Sequence, residues 1–425
     1  MIRRLLAIAA LLALPVLLGI LHHVEKVRLV PQPRGIVLGL YAGMPDYDYA
    51  DELTRIQESG ATAVSLQAIY RMEFYDSVDV VRHPTSSPTE ESLRRTFREA
   101  RERGLRMMFF PTINLRNEAS NAAWWRGNIK PRNWERWWRN YTAFNVRLAA
   151  IAQEEGVEWY SVGTEMASTH PFPDRWRALV QEVRKVFKGK IVYSVNFDSH
   201  DGFTFGDALD VIGINTYDPI AKREETPTDA QIRDGWWWIV YKARTLVGRF
   251  HRPVMITEVG YPSVAMAHAG PWDFRTSQPA DPELQARLVS GALKVLRNWG
   301  DGEAAFYYLY GENLEKGVVP GGMEDRTYAP WGKPVEASLR WYFAEPIFET
   351  KQPLSQDLLD EAMLQSLAAA ERKNRRYEDG ALPPWVVDWK QAHPDQWAKV
   401  EEKLATEPRP AKKIPKGREM AGTPR

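Results

Sequence analysis

The chain has 425 residues, a formal net charge of +1 and no cysteine. Without cysteine there is no disulfide framework, thiolate metal site or thiol nucleophile. A hydrophobic content of 44% excludes a disordered chain, and the near-zero charge speaks against a nucleic-acid binder. The chain also holds 17 tryptophans, whose flat rings suit either a large core or platforms for sugars.

In chain order, Arg3 and Arg4 precede an uncharged run, Leu5 to Leu21. A basic flank followed by about 17 apolar residues is expected to be a transmembrane signal anchor, with the body exported; a cleaved signal peptide is the alternative. Residues 1–23 form this segment and 24–34 a linker with Pro31 and Pro33.

From Gly35 the pattern alternates between strand and helix up to about residue 345. The expected strands are Ile36–Tyr41, Ala63–Gln67, Leu105–Thr112, Trp159–Gly163, Ile191–Asn196, Leu209–Thr216, Val254–Thr257 and Ala304–Tyr310. Each is short and continuously apolar, as expected of strands covered on both faces. Ser87-Pro88-Thr89-Glu90 reads as a capping box that opens a helix ending at Gly104; Gly60 ends an earlier helix, and Asp281-Pro282 opens one reaching Trp299. Eight such repeats predict an α/β fold, a (β/α)8 barrel. Too few residues separate Asn196 from Ala208 for a full helix, so a loop or single turn is expected there. Beyond the barrel, 346–404 is expected to be a helical extension, with an apolar stripe in Leu354–Arg376 and a short helix near Gln396–Leu404. Residues 405–425 carry four prolines, six basic and two acidic residues, which predicts a flexible basic tail.

Chemistry in such a barrel sits at the C-terminal ends of the strands. Strand four runs into Val162-Gly163-Thr164-Glu165 and strand seven into Thr257-Glu258-Val259-Gly260-Tyr261. A carboxylate directly after a buried apolar run costs free energy unless it has a partner or a task. Two of them facing each other across the mouth meet the requirement of glycoside hydrolysis, one carboxyl to donate a proton and one to attack. Asn196, Asp198 and His200 follow strand five and line the mouth as substrate contacts or loop caps; Glu312 is a spare carboxyl near strand eight. Trp134, Trp137, Trp138 and Tyr141 have helical spacing and are expected to pack. Trp124, Trp125 and Trp272 are sugar-platform candidates, Trp272 first, and Trp236-Trp237-Trp238 cannot all share one helix face. The eight histidines form no metal-binding helix pair, and no Gly-x-Ser-x-Gly elbow occurs, so neither a metal nor a serine nucleophile is expected.

Gly163-Thr164-Glu165 and Thr257-Glu258-Val259-Gly260-Tyr261 resemble the acid/base and nucleophile motifs of clan GH-A glycoside hydrolases. The chain is most similar to glycoside hydrolase family 113, the endo-β-1,4-mannanase-like barrels, over roughly Gly35 to Phe343. The resemblance implies a retaining hydrolase that needs no cofactor, with Glu165 as general acid/base and Glu258 as nucleophile. It implies that Tyr217, in the strand-six run Asp210 to Tyr217, bonds the nucleophile. Thr164 stands where the clan more often has Asn; where strand eight more often ends in Trp the run is Phe306-Tyr307-Tyr308-Leu309-Tyr310, so a Tyr must serve, and Tyr310 is the expected substrate contact. The strand-three end, Phe109-Phe110-Pro111-Thr112, lacks the basic residue expected of the mannanases. Tyr261, Asn196 and Trp272 complete the expected substrate shell. The expected partner is a carbohydrate polymer or oligosaccharide, with β-mannan implied by the family, and the membrane through the N-terminal helix. A transglycosylase using the same residues, and a non-catalytic polysaccharide-binding or assembly protein, are the alternatives.

Overall fold

A computed structural model describes residues 32–116, 125–273, 277–297, 299, 302–309, 314, 317, 320–344, 390–391 and 394–405. Eight parallel strands close on themselves: β1 (Arg34–Gly39), β2 (Ala63–Met72), β3 (Arg106–Leu115), β4 (Trp159–Thr164), β5 (Lys190–Asn196), β6 (Val211–Thr216), β7 (Val254–Val259) and β8 (Gly302–Leu309). Each pairs in parallel with its sequence neighbour, and β8 returns to β1 through registers such as Ile36 opposite Tyr307. A two-residue antiparallel strand, Val81–Arg82, is added to the far end of β2.

The helices between them are α1 (Ala50–Glu58), α2 (Glu90–Glu102), α3 (Trp134–Glu154), α4 (Pro173–Val186), α5 (Asp229–Phe250), α6 (Pro282–Arg297) and α7 (Pro334–Ala344). Only a 3₁₀ turn, Gly206–Ala208, separates β5 from β6, as the short spacing predicts. A further helix, α8, spans Pro394–Ala405.

The alternation of side chains along each strand divides the apolar residues into two cores. One consists of Val37, Ala63, Met108, Phe110, Trp159, Val192, Val211, Met255, Ala304 and Phe306, drawn from all eight strands, and it fills the barrel interior. The larger core lies between the strands and the helices. Trp137, Trp138 and Tyr141 are buried there on one face of α3, as their spacing predicts. Trp236 is buried on α5 and Trp238 is exposed.

Local chemistry explains the helix ends. Gly60 and Gly104 adopt φ of 90° and 71° after α1 and α2, a region where a side chain is strained. The start of α2 differs from the sequence expectation. Its N-cap is Thr89, which accepts from Ser92 N at 3.1 Å, while the Ser87 hydroxyl turns away and donates to the carbonyl of Ile69. Thr89 takes the cap because Ser87 is already spent on joining the strand end to the loop. Helix α6 stops at Arg297, short of the expected Trp299.

Among the described residues, no helix is long and apolar enough to cross a membrane. The anchor expected at Leu5–Leu21, the stripe in Leu354–Arg376 and the basic tail from Thr406 on all lie outside the described residues.

Candidate active site

Two irregularities in strand pairing fall at the C-terminal end of the barrel strands. The β4–β5 register shifts between Ser161 and Thr164, and the β6–β7 register shifts between Ile214 and Asn215. Such bulges re-aim the side chains that follow them. Glu165 comes immediately after the first shift with φ of 55°, an uncommon conformation for a residue with a side chain. Its N–H donates to Ser194 O at 2.9 Å, which holds the turn against β5. Gly163 makes room for this path. A Cβ there would lie 2.9 Å from Trp176 and 3.1 Å from both Tyr141 and Tyr193.

Both carboxyls are buried, Glu165 at 5% and Glu258 at 3% exposure, and every carboxyl oxygen has a donor. Glu165 Oε1 accepts from Asn215 Nδ2 at 2.8 Å, and Glu165 Oε2 accepts from Arg126 Nη2 at 2.6 Å in an ion pair. Glu258 Oε1 accepts from Gln67 Nε2 at 3.0 Å, and Oε2 from the Tyr217 hydroxyl at 2.6 Å. Asn215 links the two strand ends. Its Nδ2 also reaches Thr164 Oγ1 at 3.2 Å, and its Oδ1 accepts from Thr257 Oγ1 at 2.7 Å. Above Gln67, Tyr308 and Tyr41 share a hydroxyl contact of 3.0 Å, and the Tyr308 hydroxyl donates to Gln67 Oε1 at 3.4 Å.

Burial first, and the charge of Glu165 second, push Glu258 up to about 8; the bonds from Tyr217 and Gln67 and the charge of Arg126 only partly offset this. The two carboxyls are close enough for the charge of Glu165 to act directly on Glu258. The Tyr217 phenol is held well above its ordinary range, mainly by burial and then by the charge of Glu258, so it remains a donor.

The expected site residues do not all gather here. Glu165, Glu258, Thr164 and Tyr217 do. Trp272 is 47% exposed on the loop after β7, with its ring stacked on Phe197 at 5.3 Å. Tyr261 is packed in the outer core, where its hydroxyl accepts from Trp236 Nε1 at 3.0 Å. At 1% exposure Tyr261 belongs to that core and not to the group around the carboxyls. Asn196 donates to Asp198 Oδ1 at 2.9 Å and braces its own loop, and His200 is buried beneath it. Tyr310, Glu312 and Trp124 lie outside the described residues.

Three side chains in the site were missed from the sequence, Gln67, Asn215 and Arg126, and of the tyrosines expected at the end of strand eight Tyr308 is the one that reaches Gln67. The first two leave a signal, since each is a polar residue at the mouth end of an apolar strand run. Tyr308 follows from parity, because Ala304 and Phe306 on the same strand face the barrel interior. Arg126 leaves none. It sits on a 3₁₀ turn, Arg126–Asn128, well beyond β3, and supplies from a loop the basic group that the end of β3 lacks.

A family profile described as Glycoside Hydrolase Family 113 matches residues 44–315. Among solved structures, the GH113 β-mannanase AaManA from Alicyclobacillus acidocaldarius, in complex with ManMIm, aligns with a TM-score of 0.62 at 23% identity, covering 74% of this chain and 98% of its own. A GH113 β-1,4-mannanase aligns with a TM-score of 0.65 at 22% identity, covering 74% of this chain and all of its own. At these identities the likeness speaks for the barrel fold. No curated protein matches the chain in sequence. The family match spans well over half of the chain, which therefore belongs to Glycoside Hydrolase Family 113 and is a glycoside hydrolase.

Proposed function

We propose that this hydrolase cleaves β-linked mannan with retention of configuration, with Glu258 as nucleophile and Glu165 as general acid and then general base. The carrying observation is the coupled pair itself: two buried carboxyls at the mouth ends of β4 and β7, each held by fixed donors, with the charge of Glu165 acting directly on Glu258. In the first step the Glu165 proton passes to the glycosidic oxygen as that oxygen leaves the anomeric carbon. A Glu258 oxygen takes its place on the carbon. In the second step water attacks the same carbon, its proton goes to Glu165, and the bond to Glu258 breaks.

Burial and the neighbouring charge favour the proton on Glu258 in the ligand-free site. The reaction starts from the form in which Glu165 carries the proton and Glu258 is ionised, and the positive charge that develops on the anomeric carbon in the transition state is stabilised by that ionised Glu258. Mannan as substrate is supported by the family and by the mannanases of the same fold.

The test is turnover of β-mannan with anomer analysis. Glu258→Ala is expected to abolish turnover, and Glu165→Ala to lower it by about 10²- to 10⁴-fold on substrates with poor leaving groups. Added azide is expected to rescue Glu165→Ala to the β-glycosyl azide and Glu258→Ala to the α-azide. Full activity of Glu258→Ala, or inverted product from the native enzyme, would reject the mechanism.

The segment Leu5–Leu21 behind Arg3 and Arg4 supports an enzyme held at a membrane with its barrel outside the cytoplasm. Carbonate-resistant membrane association of the full chain, lost on deleting residues 1–23, is expected; full-length protein recovered in the cytoplasmic fraction would overturn it.

A further inference from the structure

We propose that Tyr308 is a positioning residue that acts through Gln67: its hydroxyl fixes which end of the Gln67 amide meets the nucleophile. The inference rests on the reading of Glu258 as nucleophile.

Three neighbouring strands place the residues. Val37, Ala63 and Phe306 face the barrel interior from β1, β2 and β8. Side chains alternate along a strand, so Gly39, Gln67 and Tyr308 face the same way, nearer the mouth. Gly39 stands opposite Gln67 in the β1–β2 register, and Tyr308 opposite Val37 in the β8–β1 register. With no side chain at Gly39, the Tyr41 ring folds back into the space. A Cβ there would lie 2.2 Å from that ring and 2.5 Å from its hydroxyl. The Tyr41 hydroxyl thereby comes within 3.0 Å of the Tyr308 hydroxyl.

Among the described residues, the Gln67 amide has two partners. Its Nε2 donates to Glu258 Oε1 at 3.0 Å, and its Oε1 accepts from the Tyr308 hydroxyl at 3.4 Å. A phenol has one proton to give, so Tyr308, giving its proton to Gln67, accepts from Tyr41. The chain runs in one sense, Tyr41 to Tyr308 to Gln67 to Glu258, and presents an N–H to the carboxyl. At 3.4 Å the Tyr308 bond is long for a phenol, so it orients the amide more than it binds it.

An amide can be turned over with almost no change of shape, and its two orientations serve opposite charge states. With Nε2 toward Glu258, an ionised carboxylate gains a donor. With Oε1 toward Glu258, a carboxylate meets a second negative oxygen, whereas a protonated carboxyl can donate to it. In the native chain the turned amide would point an N–H at the Tyr308 O–H, so Tyr308 and Tyr41 would have to reverse together. Removing the Tyr308 hydroxyl removes that obstacle and gives the protonated form of Glu258 a partner.

The experiment measures kcat/KM against pH for the full-length native enzyme, Tyr308→Phe, Gln67→Leu and the double variant. The substrate is 2,4-dinitrophenyl β-mannobioside, whose leaving group needs no acid, so the acid limb reports the ionisation of the nucleophile. Glu165, Arg126, Tyr217 and Tyr328 also face Glu258 and are the same in all four proteins. Phe at position 308 keeps the ring and its edge contacts to Tyr217 and Tyr328.

In Tyr308→Phe the acid limb is expected to move up by about half a pH unit or more. That lowers kcat/KM about threefold or more on the acid side and leaves the plateau above the limb little changed. In the Gln67→Leu background, Tyr308→Phe is expected to move the limb no further, because the group it acts through is gone.

An acid limb that stays in place in Tyr308→Phe would overturn the proposal; a fall in kcat/KM by the same factor at every pH would then make Tyr308 a sugar contact. Equal movement of the limb with and without Gln67 would also overturn it, since Tyr308 would be acting by another route. Glu258→Ala is measured in parallel with azide. If it yields the α-azide while the limb of Tyr308→Phe is unmoved, only the role of Tyr308 falls. If it yields none, the assignment of Glu258 falls and takes this inference with it.

Discussion

Tyr217 shows how single side chains set the chemistry of the pair. Its hydroxyl is the closest donor to Glu258, at 2.6 Å, inside a site where burial already disfavours the ionised carboxyl. A hydrogen bond to a charged acceptor contributes about 1.5–3 kcal/mol, so Tyr217→Phe is expected to lower kcat/KM by roughly 10- to 100-fold. Its effect on the fold should be small, because the ring still packs against Tyr308 and Tyr328. Steady-state kinetics with a parallel melting curve check this; an unchanged kcat/KM would remove Tyr217 from the mechanism. The tryptophans divide on the same scale. Trp137 and Trp176 are fully buried and build the core, whereas Trp272 presents nearly half its surface to solvent.

The strand ends are the elements on which the site depends. Glu165 is aimed by a register shift, a left-handed backbone and the missing Cβ at Gly163, and three buried rings line that space. Tyr141 donates to Val162 O at 2.7 Å, and Tyr193 accepts from Met166 N at 2.9 Å, so the rings grip the chain on both sides of the glycine. In Gly163→Ala the new methyl meets packed aromatics that cannot yield. A loss of about 1–3 kcal/mol in denaturant unfolding is expected, with kcat falling together with it. Wild-type kcat in a destabilised Gly163→Ala would mean that the aim of Glu165 does not depend on this packing.

Across the whole molecule, buried ionisable groups set the pH range of stability. His170 is packed among Tyr193, Phe203 and Phe205, and burial, with Arg249 adding to it, drives it down to about 3 from an ordinary 6.5. His200 is lowered in the same direction, mainly by burial and then by Lys242 and Arg249. The folded state keeps His170 neutral while the unfolded chain binds a proton below about 6.5, so stability is lost as pH falls from there toward 3. Glu258 works the other way. Its raised value makes the native state bind the extra proton, a contribution that is lost as pH rises through about 8. His170→Gln, which can keep the contact to Tyr193, is expected to flatten the fall in melting temperature between pH 7 and pH 4. An identical slope in the variant would show that His170 does not drive the acid loss. The barrel itself was legible in the sequence, because a strand covered on both faces has to be an apolar run, and eight such runs alternate with capped amphipathic helices. Glu165 and Glu258 were legible for the same reason, as charges placed where a buried run stops. Tertiary structure alone decided which groups meet them. Gln67 and Asn215 come from other strands through the closure and register of the barrel, and Tyr261 packs into the outer core. Arg126 arrives from a loop whose path no periodicity encodes. Hydrophobic patterning specifies which face of each element is buried, but contacts between distant segments depend on how those elements close in space.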